Sequence, residues 1–391
     1  MDQNDVLEWM WGDARHLALN QFFSGYCEKL VQIGIPLRRV HLSMAELHPE
    51  YLASAFSWNL TGVDERHLYR SDHPEESTEF LNSPIKALID GSPPIRAQLG
   101  GSNQKFEYPI LNELQEEGFT DYAIHALPFR NGRGATMSFA TNRIGGFTDL
   151  QMEKVEALLP ATGLQLEYLV TDQMVHTVLR TYVGKAASKR IVEGDIERGV
   201  AQSMQAVVWY ADLRRFTEIA EHVPPETLIQ LLNQYFEILV HAVEDGGGEV
   251  LKFIGDALLA VFPLSSRSYI ADVACEVALA AAEEAFDNIA IANKDRVAQD
   301  QPVIEVGIAM HVGEVMYGNI GSENRLDFTV IGPAVNLASR LQALAPALGV
   351  PLIVSEDFKS HSRRTFDDLG EHSLKGIEAP HRVFTLSSRS T

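Results

Sequence analysis

Asp212, Lys252, Asp256, Asn336 and Arg340 are the residues whose types and spacing could do chemistry. Asp256 follows Gly255 between the apolar runs 249–254 and 257–262, and Asp212 lies just past the apolar run 206–210. Two carboxylates at neighbouring strand ends repel each other unless a cation lies between them. Oxygen-only ligands suit Mg²⁺, which takes few protein carboxylates and several phosphate or water oxygens, so the pair points to a nucleotide. Lys252 interrupts an apolar strand, where burial without a partner is unfavourable, so it belongs at the sheet's end, facing a ligand. Asn336 and Arg340, four residues apart, share one helix face, and an amide with a guanidinium suits a ribose and a developing phosphate charge. The loop 213–217, Leu-Arg-Arg-Phe-Thr, adds backbone N–H groups, those of Phe216 and Thr217 among them, suited to a polyphosphate. Taken singly, each residue has an ordinary reading: a turn or cap aspartate, a snorkelling lysine, a surface helix pair. No Gly-x-x-x-x-Gly-Lys-Ser/Thr sequence is present, which excludes a P-loop protein.

These residues must be placed by the elements between 203 and 391. A strand over 206–210 stops at Asp212. Pro225 then opens an amphipathic helix in which Leu228, Leu231, Leu232, Tyr235, Phe236, Leu239 and Val243 keep helical spacing, and Gly246 ends it. A hairpin turning at Gly255-Asp256, a helix over 269–292 and a strand with alternating Ile304, Val306 and Ile308 follow. That order, βαββαβ, predicts a ferredoxin-like α+β unit with its helices on one face of an antiparallel sheet. Such a topology brings the first strand beside the central hairpin, where the two aspartates converge.

The N-terminal part reads as a mixed α/β module. A helix is expected over 9–30, strands over 40–44 and 53–59, and a surface loop with a short helix over 71–94. Strands over 122–129 and 135–141 are joined across Asn131-Gly132, a dipeptide that favours a tight hairpin. A helix over 149–183, with Thr148 as N-cap, then leads onward, and Pro160 is expected to kink or divide it. Its apolar positions suit either a parallel dimer seam or packing on its own domain, because Gln173 and His176 spoil the heptad. A Gly-punctuated linker is expected over 184–199.

At 391 residues, two domains are the natural expectation. The formal charge of −21 repels nucleic acid and anionic membranes, so neither is an expected partner. Cys27 and Cys275 are too few for a disulfide framework. With no long apolar run and an acidic N-terminus, the sequence predicts a soluble cytoplasmic protein.

Four stretches resemble the class III nucleotidyl cyclases: Trp-Tyr-Ala-Asp-Leu-Arg-Arg-Phe-Thr at 209–217, Gly-Glu-Val-Leu-Lys-Phe-Ile-Gly-Asp at 248–256, His-Val-Gly-Glu-Val-Met-Tyr-Gly-Asn-Ile-Gly-Ser at 311–322, and Val-Ile-Gly-Pro-Ala-Val-Asn-Leu-Ala-Ser-Arg at 330–340. The resemblance covers about 203–387 and implies roles residue by residue. Asp212 and Asp256 would hold two Mg²⁺ or Mn²⁺ ions per active site. Lys252 and Thr329 would read the purine, Asn336 would orient the ribose, Arg340 would stabilise the transition state, and Lys375 would meet the terminal phosphates. It also implies a homodimer with sites at the interface. Lys252 only donates hydrogen bonds and Thr329 accepts as well, a pair that fits adenine and so ATP. The expectation is an adenylate cyclase of the Thr-bearing subgroup. A guanylate or relaxed-specificity cyclase and a catalytically silent nucleotide-binding sensor are the alternatives. The expected domains are 1–150, resembling a GAF-type sensory domain, a helical linker over 151–202, and a catalytic domain over 203–391. The first either binds a small-molecule ligand or only supports dimerisation.

Overall fold

The computed structural model describes residues 2–46, 48–101, 105–130, 134–264 and 268–387. The chain divides into two compact units, Met1–Val178 and Leu179–Thr391.

The first unit begins with α1 (Gln3–Trp11) and α2 (Leu19–Gln32), then β1 (Arg39–Ala45), β2 (Tyr51–Asn59) and β3 (Gly62–Tyr69). Short helices α3 (Thr78–Leu81) and α4 (Pro84–Ile89) precede β4 (Ile95–Gln98), α5 (Pro109–Glu116), β5 (Asp121–Pro128), β6 (Gly134–Thr141) and α6 (Asp149–Val183). The expected single helix over 9–30 is two. Asp2 caps the first, Gly12 closes it by donating to Glu8 O, and a 3₁₀ turn at Asp13–His16 separates them. The six strands lie in the order β3-β2-β1-β6-β5-β4. The β5–β6 pair is antiparallel as expected, while Asn131-Gly132 lies outside the described residues. One sheet face is filled by helices. Val40, Leu42, Met44, Phe56, Met137 and Phe139 pack with Phe22, Phe23 and Tyr26 of α2 and Val155, Leu158 and Leu166 of α6. Thr148 and Gln151 exchange capping hydrogen bonds at the start of α6, and the helix runs unbroken through Pro160. Buried contacts on both sides of Pro160, from Val155 to Leu166, hold the two halves in one helix although the proline removes a backbone bond. Asp121, fully buried, anchors the base of the sheet: Oδ2 takes hydrogen bonds from Arg96 and from Phe147 N, each at 3.0 Å.

The second unit holds α7 (Lys185–Val192), β7 (Ala201–Leu213), α8 (Phe216–His222), α9 (Pro225–Asp245), β8 (Glu249–Ile254), β9 (Ala257–Pro263), α10 (Ser268–Ala298), β10 (Val306–Ser322), β11 (Arg325–Ile331), α11 (Pro333–Leu348), β12 (Leu352–Ser355), α12 (Glu356–Ser360), β13 (Phe366–His372) and β14 (His381–Leu386). The central strands run β10-β7-β9-β8, the expected ferredoxin-like core, and all three contacts are antiparallel. Three expectations are corrected. The sheet is mixed, because β12 pairs with β10 in parallel. The helices cover both faces: α9 and α10 pack on Val207, Trp209 and Ala211, while α7 and α11 pack on Ala206, Val208 and Val315. Both alternating sets of β7 are apolar, so neither face of that strand could be left to water. The linker expected over 184–199 contains α7, whose Ala187 is buried against the sheet. No helix among the described residues is long and apolar enough to cross a membrane.

Candidate active site

The register sets Asp212 of β7 opposite Ala257, so Asp256, in the turn before β9, comes alongside it. Gly255 takes φ +65° in that turn, a conformation glycine adopts without strain. The two carboxyls lie within hydrogen-bonding reach of each other. Burial pushes the Asp212 carboxyl up to about 7, and the charge and hydrogen bond of Asp256 push in the same direction. No cationic side chain among the described residues is paired with either one. The same negative field, after burial, raises the phenols of Tyr210 and Tyr235. Sequence reading missed these two tyrosines, and their only trace was a polar ring in each apolar run. A half-buried carboxylate pair lacking a countercharge fits an oxygen-preferring divalent cation. Among the described residues no third His, Cys, Asp or Glu joins the pair, as suits an ion that fills its shell with phosphate and water oxygens.

Beyond the turn, Arg215 is left-handed at φ 60° and hands the chain to α8, whose first turn presents Phe216 and Thr217. A register shift between Val250 and Lys252 marks a bulge in β8, next to the lysine. The Lys252 ammonium meets the Asp327 carboxylate of β11 in an ion pair. Thr329 stands two residues further along the same strand, 4% exposed, with its Oγ1 unpartnered. Asp327 was also missed: its position two residues before Thr329 was visible, but the lysine that needs it is remote in sequence. Asn336 and Arg340 both project from α11 into solvent, with no side-chain hydrogen bond among the described residues. Lys375 is exposed in a turn before β14. The structure thus brings together Asp212 with Asp256, and Lys252 with the strand carrying Thr329. It leaves Asn336, Arg340 and Lys375 without a side-chain hydrogen bond or ion pair among the described residues.

Residues 200–388 match the family model of the adenylate and guanylate cyclase catalytic domain. Residues 200–388 are thus similar to a nucleotidyl cyclase catalytic domain. The chain is 35% identical over 225 residues to an uncharacterized protein of Mycobacterium tuberculosis (strain ATCC 25618 / H37Rv), covering 56% of this chain and 39% of that one. It is 33% identical over 166 residues to an adenylate cyclase of Anabaena cylindrica, covering 41% of this chain and 32% of the relative. The chain therefore spans about two fifths or less of these curated relatives. Among solved structures, the adenylyl cyclase CyaB from P. aeruginosa aligns with a TM-score of 0.43 at 26% identity, over 49% of this chain and 98% of that one.

Proposed function

We propose that the protein is a homodimeric adenylate cyclase that forms 3′,5′-cyclic AMP and pyrophosphate from ATP, with a GAF-like N-terminal regulatory domain. The observation that carries this reading is the division of the site. Among the described residues no cationic side chain pairs with the carboxylates Asp212 and Asp256, and Asn336 and Arg340 make no side-chain hydrogen bond, as expected of two half-sites completed by a second chain. Cyclase domains of this class generally use divalent ions. Two Mg²⁺ or Mn²⁺ ions held by Asp212 and Asp256 would supply Lewis acidity at the 3′-oxygen and the triphosphate.

The chain's own groups do the rest. The 3′-hydroxyl gives its proton to solvent water, and its oxygen bonds to the α-phosphorus as the bond to the pyrophosphate oxygen breaks. Arg340 meets the charge that develops on the phosphoryl oxygens, and Asn336 orients the ribose. Lys375 and the N–H groups of Phe216 and Thr217 face the terminal phosphates. Lys252 donates to N1 of adenine and Thr329 Oγ1 accepts from its amino group. The buried, unpartnered hydroxyl of Thr329 supports that role, because a substrate would satisfy it. One observation favours a second reading: the Asp327 carboxylate beside Lys252 could accept from the N1–H of guanine.

The test is turnover of ATP against GTP by the purified chain with Mg²⁺ or Mn²⁺. Cyclic AMP formation that disappears in Asp212→Asn, with the fold intact by circular dichroism, supports the proposal. Preference for GTP would move the chain to guanylate cyclases, and no product from either nucleotide would make it a silent nucleotide sensor.

A further inference from the structure

We propose that the cavity between the first unit's sheet and the helices α4 and α5 binds a monoanionic amphipathic small molecule, an apolar body whose single carboxylate pairs with Arg39. This inference does not rest on the cyclase reading. The strand registers set Ser43 of β1 between Ala55 of β2 and Thr136 of β6, with Ala126 of β5 beyond Thr136. Four short side chains therefore run across four strands. One residue along, on the opposite face, the row is filled by Phe56, Leu42 and Met137. A floor of Ala, Ser and Thr leaves space beneath α4 and α5, and a cavity of about 1140 Å³ remains. That is ample for a small-molecule ligand. Its walls are largely apolar, with Leu52, Phe80, Ile85, Leu88, Ile110 and Leu114 facing in. An occupant would restore the dispersion contacts that such a void lacks.

Charge selects the occupant further. Arg39, half-buried on the floor, has no acceptor among the described residues, whereas Arg66, also at the cavity, is engaged by Asp64 at 3.2 Å. His41, in the next row, has its Nδ1 3.0 Å from Ser57 Oγ. Thr136 is 6% exposed and its Oγ1, in the cavity lining, has no partner. The unpaired guanidinium of Arg39 calls for one anionic head group, while the idle hydroxyl of Thr136, four residues further along the strands, is left for a polar atom elsewhere on the occupant. Glu75, Glu79 and Glu113 line the walls and oppose a second negative charge, which disfavours a polyphosphate.

Isothermal titration of the 391-residue chain with decanoate, below its micellar concentration, and with decanol as the uncharged match tests this. Decanoate should bind roughly tenfold or more tightly than decanol, the advantage of a charge-assisted hydrogen bond. Arg39→Gln should remove that preference and Arg39→Lys should keep part of it. Ala55→Phe, which fills the floor, should abolish binding of both. Equal binding of the two probes by the unmodified chain, a preference that survives Arg39→Gln, or no binding of either would overturn the proposal. Should Ala55→Phe unfold the unit, the Arg39→Gln comparison decides.

Discussion

The second unit's sheet is covered by helices on both faces, α9 and α10 on one and α7 and α11 on the other, and its candidate site residues sit at strand ends and on the rim. In the first unit α1, α2 and α6 fill one face, and the other keeps a row of Ala, Ser and Thr under a large cavity. The difference lies in side-chain size at alternating positions. In β7 both sets are apolar and lie buried under helices on each face. In β1 the set Val40, Leu42, Met44 is bulky and apolar, while Arg39, His41, Ser43 is polar and leaves room. A filled sheet pushes chemistry to its edges, and a half-filled one offers a face for binding.

The strongest way to break that comparison is to ask whether the rim groups work across a chain boundary. Asp256→Asn and Arg340→Ala should each reduce cyclic AMP formation by about 10²–10³-fold or more. Mixed in equal amounts after subunit exchange, the two inactive variants should recover roughly a quarter of the unmodified rate, since half the dimers would be mixed and each would hold one intact site. A discontinuous nucleotide assay measures this directly. If mixing restores nothing while the variants still associate, the half-site reading of the second unit is wrong.

A second test separates the two units by stability. Asp121 is fully buried and paired with Arg96, and Gly146, at φ +69°, lies so close that an added Cβ would meet Asp121 Oδ2 at 2.6 Å. Asp121→Asn leaves the guanidinium facing a neutral amide and should destabilise the first unit by about 3 kcal/mol. Gly146→Ala should act in the same direction, through strain at positive φ and displacement of the carboxylate. Differential scanning calorimetry should show the transition of the first unit moving and that of the second holding its place. Equal movement of both would show that the units unfold as one.

The second unit was the more legible of the two. Gly255-Asp256 between two apolar runs announces a hairpin with a charge at its tip, and the helical spacing from Leu228 to Val243 is unambiguous. Those patterns come from burial, which leaves a period in the sequence. β3 was missed because it is an edge strand whose Asp64, Glu65 and Arg66 are all exposed, so no burial period exists to be read. The eight residues of α7 were hidden between glycines, and the partnership of Lys252 with Asp327 spans 75 positions that no local pattern connects. The cavity was unreadable for a related reason: Ser43, Ala55, Ala126 and Thr136 come from four strands and become a floor only once the register is known.

The smallest expected effect tests whether the two units share any weakness. Burial lowers His41 in the first unit and His311 in the second from their usual value to about 4, with Arg39 and Arg66 helping in one case and His381 in the other, against Asp357. A histidine held below its unfolded value protonates more readily in the unfolded chain. Stability therefore falls as pH drops from about 6.5 towards 4, by about 2 kcal/mol at pH 5 for each residue. Asparagine can keep a hydrogen bond to Ser355 at position 311, or to Ser57 at position 41, without titrating. His311→Asn should thus spare only the second transition between pH 7 and pH 5, and His41→Asn only the first. Asp212 works in the opposite direction, since its raised carboxyl favours the folded state in acid, so the measured quantity is the difference between variant and unmodified chain at each pH. An acid response unchanged by both substitutions would place the lability elsewhere in the two sheets.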